Sequence, residues 1–369
     1  MKDPIALILV EPGFRQAYWW QVYEESLNDE LSRRSLFATF VYDAVLLDNS
    51  LPESLLAILF GTSAGWLHDT LLACRLRNLR PIIVSPEPKE PIDGVSLIAP
   101  DRTGSTRRLV AYLTEHGKNH LAMFNPRPES VNGKRREEAF IRSCAEASAV
   151  ASVFSERDAT ACADRIIENV DKIDGIVCVD DLAGVFLLSV LADAGIQVPD
   201  RLYVAGFGDS VLSRHARPPL TTVTMDMKEL ARQAIGCALY LYRNPRTVSL
   251  NCQVANHLIV RESTALCPDT QIAMQNRIEI ANAAPAVESA GLNEALHLVN
   301  SLETCLAHAN ETDLAIIKAL MCGLSCRKVA RQLFMSESTV YYRIERLRQL
   351  SGTADRKSFL ALLNKYTSC

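Results

Sequence analysis

Hydroxyl-bearing and basic side chains are concentrated near the end of the chain, in the stretch SCRKVARQLFMSESTVYYRIER at residues 325–346. Arginine and lysine bind backbone phosphates, and hydroxyls near a helix N-terminus hydrogen-bond phosphates or base edges. A guanidinium group also matches the edge of a guanine. The candidate nucleic-acid contacts are therefore Ser325, Arg327, Lys328, Ser336, Ser338, Thr339, Tyr341, Tyr342, Arg343 and Arg346.

Three short helices are predicted to position these side chains, at residues 311–323, 325–334 and 335–352. Val340, Ile344 and Leu347 recur at helical spacing and predict the buried face of the third helix. Ala330 is small, as required where two helices cross closely. The pattern favours a helix-turn-helix, whose second helix enters the major groove. A plain helical dimerisation or docking module is the alternative.

The same residues resemble the C-terminal helix-turn-helix of PucR/CdaR-type regulators, and the run GLSCRKVARQLFMSESTV is similar to the LuxR-type module. The resemblance covers about 55 residues and implies binding to a DNA operator. The matching positions are Ala330, Leu333, Ser336, Thr339, Val340, Tyr342, Arg343, Leu347, Leu350, Ser351 and Gly352.

Charge is unevenly spread over the 369 residues. The net charge is −4, but residues 311–369 hold ten basic and five acidic residues, which leaves −9 for residues 1–310. A basic module on an acidic body suits attraction to phosphates.

The remaining composition favours a protein of the reducing cytoplasm. The 11 cysteines form no CxxC pair, and Cys322 and Cys326 have no partners that would complete a metal site. The apolar runs at 5–10 and 55–60 are far shorter than the ~20 residues of a membrane span. We therefore expect no membrane association, no secretory signal, no cofactor and no metal.

Short apolar runs with strand composition recur through the first two thirds of the chain, alternating with helical patterns at 107–117, 181–195 and 228–244. Near-continuous apolar strands alternating with helices predict an α/β fold with parallel sheets covered on both faces. The predicted strands are residues 5–10, 36–42, 81–85, 94–99, 120–124, 149–154, 175–179 and 202–207.

The segment at 173–226, which contains GIVCVDD, VPDRLYVAGFGDS and PPLTTV, resembles the effector domain of the lac-repressor (LacI) family. The resemblance extends over about residues 5–264 and ends in HLIVREST. It implies the two-lobed fold of type I periplasmic binding proteins, with three chain crossings between the lobes and a small ligand in the cleft.

The resemblance also implies effector-binding positions at Phe14, Asp101, Arg136, Asp180, Gly208 and Met227. Asp180 has the alternative role of a helix cap, and Arg136 that of a solvated helix charge. Gly208 stands where the family sequence GFDDS has its first Asp, a common acceptor for sugar hydroxyls. This departure favours an effector other than a standard pyranose.

The predicted organisation has three parts. An effector-binding domain spans 1–265, a linker with an amphipathic helix spans 266–310, and the helix-turn-helix domain spans 311–369. Since the first strand follows almost directly on Met1, we expect the C-terminal module to replace the N-terminal DNA-binding helices usual in the family. The plan is similar to XylR-type regulators, which end in an AraC-type module.

The leading hypothesis is a DNA-binding regulator controlled by an effector. We expect it to form a homodimer through its effector domains, and the amphipathic helix is a candidate for a second contact between the protomers. A solute-binding receptor and a response-regulator-like transcription factor are the alternatives. An enzyme is not expected, since the sequence shows no Ser-His-Asp order, phosphate-binding loop or metal cluster.

Overall fold

The computed structural model of the protein describes residues 5–12, 18–42, 56–61, 63–84, 92–126, 131–265 and 294–367. The chain forms two compact units, one of residues 1–102 and 225–256 and the other of residues 103–224 and 257–369. The chain passes from one unit to the other three times, as the resemblance to two-lobed binding proteins implied.

The first unit is built on a parallel sheet of six strands in the order β11-β5-β4-β3-β1-β2. Its aromatic core includes Trp20, Tyr23 and Phe60, so one of the tryptophans near the start of the chain is a packing residue. The elements are β1 (Leu7–Val10), α1 (Tyr18–Arg33), β2 (Thr39–Val41), β3 (Leu56–Phe60), α2 (Ala64–Leu76), β4 (Arg80–Val84), β5 (Ser96–Pro100), α8 (Met227–Arg243) and β11 (Asn251–Val254).

The second unit contains a six-stranded sheet in the order β12-β10-β9-β8-β6-β7, parallel except for β12. The sheet and its covering helices are the second lobe. Its elements are α3 (Arg102–Glu115), β6 (His120–Asn125), α4 (Val131–Glu146), β7 (Val150–Ser155), α5 (Ala159–Glu168), β8 (Gly175–Cys178), α6 (Asp181–Asp193), β9 (Tyr203–Phe207), α7 (Val211–His215), β10 (Thr221–Thr224) and β12 (His257–Ile259).

The predicted α/β class with parallel sheets is confirmed. Each of the eight predicted strand runs contains a strand. Most of these runs supply the apolar side chains that both faces of a parallel sheet must bury, whereas β7 is largely exposed. Helix α3 begins five residues before the predicted start at residue 107, and Gly117 ends it in the left-handed region with a φ of 75°.

Five further helices complete the second unit: α9 (Glu294–Ala307), α10 (Glu311–Met321), α11 (Cys326–Gln332), α12 (Glu337–Leu350) and α13 (Arg356–Tyr366). The predicted apolar stripe of the linker helix is buried along α9, at Leu296, Val299, Leu302 and Leu306. It packs on α6 and α7 of the lobe and on α12 and α13 of the terminal module. Leu292 and the predicted linker at 266–290 lie outside the described residues.

Among the described residues, no helix combines the length and apolar content needed to cross a membrane.

Candidate nucleic-acid interface and ligand-binding edge

Helices α10, α11 and α12 form the predicted helix-turn-helix. The Ser325 hydroxyl accepts a hydrogen bond from the backbone N–H of Lys328 at 3.4 Å and caps α11. The Ser336 hydroxyl likewise accepts from the N–H of Thr339 at 3.1 Å and caps α12. Between the helices, Phe334 adopts a φ of 54°, which turns the chain sharply. The two serines thus fix where each helix begins.

The outward face of α12 is a polar and aromatic stripe. Tyr341 is 51% exposed and Tyr342 is 71% exposed, whereas Val340, Ile344 and Leu347 are buried against the module core. Helical spacing places Ser338, Tyr341, Tyr342, Glu345 and Gln349 on one side, and all five are exposed. A helix with one face buried and a polar face open can enter a groove.

Arg343 and Arg346 lie at the margin of this face and are bound within the protein. Nη1 of Arg343 donates to Oδ1 of Asp313 at 2.8 Å, and Nη2 of Arg346 donates to Oδ2 at 2.6 Å. The Asp313 side chain is fully buried, and it also accepts from the backbone N–H of Asn310 in the capping box of α10. The arginines therefore anchor α12 on α10. Nucleic-acid contact by Arg343 and Arg346 remains a prediction.

The predicted contacts on α11 and at the start of α12 are open. Arg327 and Lys328 are exposed on the first turn of α11, beside exposed Ser325. At the start of α12, the Ser336 hydroxyl lies 2.7 Å from that of Thr339 and 2.8 Å from that of Ser338, so the hydroxyls order one another. Thr339 is only half-buried.

Helix α13 adds a cation beside the aromatic stripe. The Arg356 guanidinium lies 5.7 Å from the centroid of the Tyr341 ring. Together with Tyr342, Ile344 and Glu345, these side chains line a surface hollow of about 380 Å³ between α12 and α13. Arg356 is not among the predicted contacts, although the N-cap of this helix, Asp355, precedes a clear apolar pattern in RKSFLALLNKY.

Three predicted effector positions meet at the carboxyl edge of the second sheet. A guanidinium N–H of Arg136, on the second turn of α4, donates to the Val179 carbonyl just after β8, and the guanidinium lies 4.0 Å from the centroid of the Phe207 ring at the end of β9. Asp180 follows β8, and Gly208 follows β9. Open parallel sheets bind ligands beyond this edge.

Asp180 also serves as a helix cap. Its Oδ1 accepts from the backbone N–H of Ala183 at 2.9 Å, so the alternative role weighed for this residue is present in the structure. Effector binding by Asp180 and Arg136 remains a prediction.

The loop after β9 is tightly held. The Gly208 N–H donates to the Val223 carbonyl at 2.8 Å. The buried Asp209 carboxylate accepts from Nη2 of Arg214 at 2.7 Å and also from Arg261, so Asp209 points into the lobe. Asp181, equally buried, accepts from the Thr222 hydroxyl at 2.6 Å, and burial raises the pKa of its carboxyl.

The remaining predicted effector positions belong to the first unit. Asp101 directly follows β5, and its N–H donates to the Val254 carbonyl at 2.8 Å. Met227 is the first residue of α8 and is buried. Phe14 lies outside the described residues. The described part of the chain holds no cluster of metal-binding side chains.

Comparison with known proteins supports both halves of this architecture. The model of the periplasmic binding protein-like domain matches residues 110–264, and the model of the winged helix-turn-helix DNA-binding domain matches residues 310–350. In the described part that follows α12, a turn leads into α13 up to Tyr366, and no strand of a wing is present there. The chain thus carries a periplasmic-binding-protein-like domain with a C-terminal helix-turn-helix.

Individual relatives agree. The HTH-type transcriptional regulator CelR of Thermobifida fusca is 25% identical over 180 residues, which are 47% of this chain and 53% of the relative. The CelR–cellobiose complex aligns with a TM-score of 0.59 at 18% identity, over 71% of this chain and 85% of that one. A LacI family transcriptional regulator from Enterococcus faecium with bound ribose gives 0.57 at 15% identity, over 70% and 98%.

At these identities the structural matches show a shared fold. The chain spans about half the length of the curated relatives it matches.

Proposed function

We propose that the protein is a DNA-binding transcriptional regulator controlled by a small molecule bound at the carboxyl edge of its second sheet. One observation carries this proposal: a single compact unit contains both the edge formed by Arg136, Asp180 and Gly208 and the open face of a helix-turn-helix. Helix α9 packs against both parts, so the ligand-binding edge and the DNA-binding helix share one core.

The proposed DNA surface consists of the outward stripe of α12 flanked by cations. Tyr341, Tyr342 and Ser338 face a major groove, where tyrosine hydroxyls and serine donate to phosphates or base edges. Exposed Lys328 and Arg327 bind phosphates from α11. On the other side, Arg356 and exposed Lys357 of α13 stand where a wing would follow the recognition helix. Binding through these cations weakens as salt rises.

The proposed effector is a sugar or a related small metabolite. The relatives that share the fold include proteins with bound cellobiose or ribose. Arg136 and Asp180 supply charged hydrogen-bonding groups of the kind that bind hydroxyls or a carboxylate. Gly208 supplies no carboxylate after β9, which favours a ligand with fewer hydroxyls on that side.

We assign the terminal module to the PucR/CdaR or LuxR type on an overall plan similar to XylR, supported by buried Ala330 and Val340 at the matching positions. We also propose a cytoplasmic homodimer, since single helix-turn-helix units gain affinity from paired half-sites. Light scattering with and without DNA tests this state, and a monomer under both conditions at micromolar concentration contradicts it.

The test of function begins by selecting duplexes from a random-sequence pool with the full chain, followed by mobility-shift titrations. Lys328→Ala is expected to weaken binding uniformly across sequences and to reduce the salt slope by about one unit. The matched control, Lys172→Ala, removes an exposed lysine from the second lobe and should change neither quantity.

Thermal-shift titrations with ribose and cellobiose examine the effector half independently. If the chain binds a sugar but no duplex is recovered, the solute-receptor alternative replaces the regulator. If the chain binds neither a sugar nor a duplex, both the proposed DNA-binding function and the proposed effector class are wrong.

A further inference from the structure

Helix α9 joins the two functional parts of the second unit. Its buried side, which includes Leu296, Val299 and Leu302, is part of the same hydrophobic core as the lobe and the terminal helices. The helix contacts α5, α6 and α7 of the lobe and α12 and α13 of the module. A displacement of the lobe surface under α9 therefore reaches the helix that presents the DNA-facing stripe.

One charged side chain of α9 turns toward the lobe. The Glu303 carboxylate accepts from the backbone N–H of Val211 at 3.0 Å and of Leu212 at 2.7 Å. These are the first two residues of α7, whose N–H groups have no acceptor inside their own helix. Burial raises the pKa of the Glu303 carboxyl to about 7. A carboxylate held away from water by two N–H donors joins α9 to α7 at a fixed place.

The start of α7 is continuous with the ligand-binding edge. Gly208, Asp209 and Ser210 link the end of β9 to α7, and both Gly208 and Asp209 have φ in the positive region, at 135° and 56°. The Ser210 N–H donates to the buried Asp181 carboxylate at 2.8 Å, and the Ser210 hydroxyl caps α7. Since every backbone N–H from 208 to 212 has an acceptor, a shift of this loop moves the two amides that Glu303 binds.

We propose that Glu303 is the positioning residue that couples the loop at 208–210 to the DNA-binding helix α12. This inference rests on the proposed function and adds the route by which the effector acts. Ligand occupancy repositions the loop, the loop carries the α7 amides, and Glu303 transfers that movement to α9 and so to α12. Coupling between two binding sites is reciprocal, so DNA must also bias the loop.

Reciprocity allows a test without the natural effector. The full chain is mixed with a duplex recovered by selection, and hydrogen exchange is followed at the amides of 208–210, none of which bonds to Glu303. In the unmodified protein, DNA should change these exchange rates by about fivefold or more. In Glu303→Gln, whose amide group cannot accept both N–H bonds with full charge, that change should be lost.

Two further variants separate coupling from plain stability. Glu294→Gln removes an exposed carboxylate from the first turn of the same helix and should keep the full response to DNA. Glu303→Asp retains the charge on a side chain one methylene shorter, and it should also lose the response to DNA. It takes the place of Glu303→Gln in the test if Glu303→Gln does not fold.

The outcomes are distinct. Glu303 variants that bind the duplex and still show the full change at 208–210 overturn the coupling role. An unmodified protein that binds the duplex with no change at 208–210 overturns it too, and leaves the proposed function standing. If no duplex is recovered, the proposed function fails, and the inference that rests on it fails with it.

Discussion

The Asp313 carboxylate accepts a hydrogen bond from Arg343 at 2.8 Å, which ties the first helix of the terminal module to its recognition helix. The Asp313 side chain is fully buried, whereas that of Arg343 is 29% exposed. Arg346 completes the arrangement on the other carboxylate oxygen. The two arginines neutralise this carboxylate, which also accepts a hydrogen bond in the capping box of its own helix. Together these bonds fix the position of α12 on α10.

Replacing Asp313 should therefore destabilise the module. In Asp313→Asn the capping oxygen is retained, but the charge that both arginines bind is lost. Because the arginines are partly exposed to water, the expected loss is about 1–2 kcal/mol in the free energy of unfolding. Urea unfolding of the full chain measures it. The matched control is Glu311→Gln, which removes an exposed carboxylate two residues earlier and should leave the free energy of unfolding unchanged.

Tyr342 and Arg343 are neighbours in sequence with different expected roles. Tyr342→Ala should weaken binding to the selected duplex by about 1–3 kcal/mol while leaving the unfolding midpoint unchanged, since the ring is 71% exposed. Arg343→Ala should reduce both affinity and stability, because it disrupts the position of α12. If Arg343→Ala lost affinity with unchanged stability, direct reading of DNA by Arg343 would be favoured instead.

Sequence patterns were sufficient to predict eight of the twelve strands in the described residues, together with the helix-turn-helix. The run at 175–179 became β8 (Gly175–Cys178) because a strand buried on both faces needs continuous apolar residues, and that pattern is local. Likewise, Val340, Ile344 and Leu347 predicted the buried face of α12 from spacing alone.

The interactions that position the site were harder to predict, since they join residues far apart in the chain. Glu303 lies on the apolar side of its helix, between Val299 and Leu306, and an acid on such a stripe indicates a buried partner. That partner is a pair of backbone N–H groups about 90 residues earlier, which no side-chain pattern reveals. The pairing of Arg343 with Asp313 was missed for the same reason, although Asn310 and Asp313 have capping-box spacing.

The raised pKa of Glu303 gives the protein a characteristic dependence on pH. Burial raises the folded-state pKa to about 7, above the value of about 4.3 expected in the unfolded chain. The folded protein therefore binds this proton more tightly. Its contribution to stability is complete below the unfolded pKa and is lost as the pH rises through about 7.

The comparison that isolates this effect is with Glu303→Gln, which does not titrate. The unfolding midpoint of the unmodified protein, relative to that of the variant, should fall by a few degrees between pH 5 and pH 8, on the order of the 2–4 °C expected per kcal/mol. Asp181 and Arg214, whose charges act on Glu303, are present in both proteins. A midpoint difference that is constant across this range contradicts the raised pKa.

Gly208 lies at the ligand-binding edge, directly after β9. Its φ of 135° lies where a side chain is strained, and the residue is buried. Gly208→Ala should therefore lower the free energy of unfolding by about 1–3 kcal/mol. Gly195→Ala, at a φ of 73° with open space around it, measures the cost of positive φ alone.

Gly208→Asp should be worse than Gly208→Ala, because a carboxylate without a partner is added at a buried position. Thermal unfolding of the four proteins, with and without ribose or cellobiose, distinguishes strain from ligand chemistry. Strain lowers the unfolding midpoint by the same amount with and without sugar. If the site lacks an acceptor for a sugar hydroxyl, the sugar should raise the midpoint of Gly208→Asp but not that of Gly208→Ala. If ribose or cellobiose stabilised Gly208→Asp more than the unmodified protein, the preference for a less hydroxylated effector would be wrong.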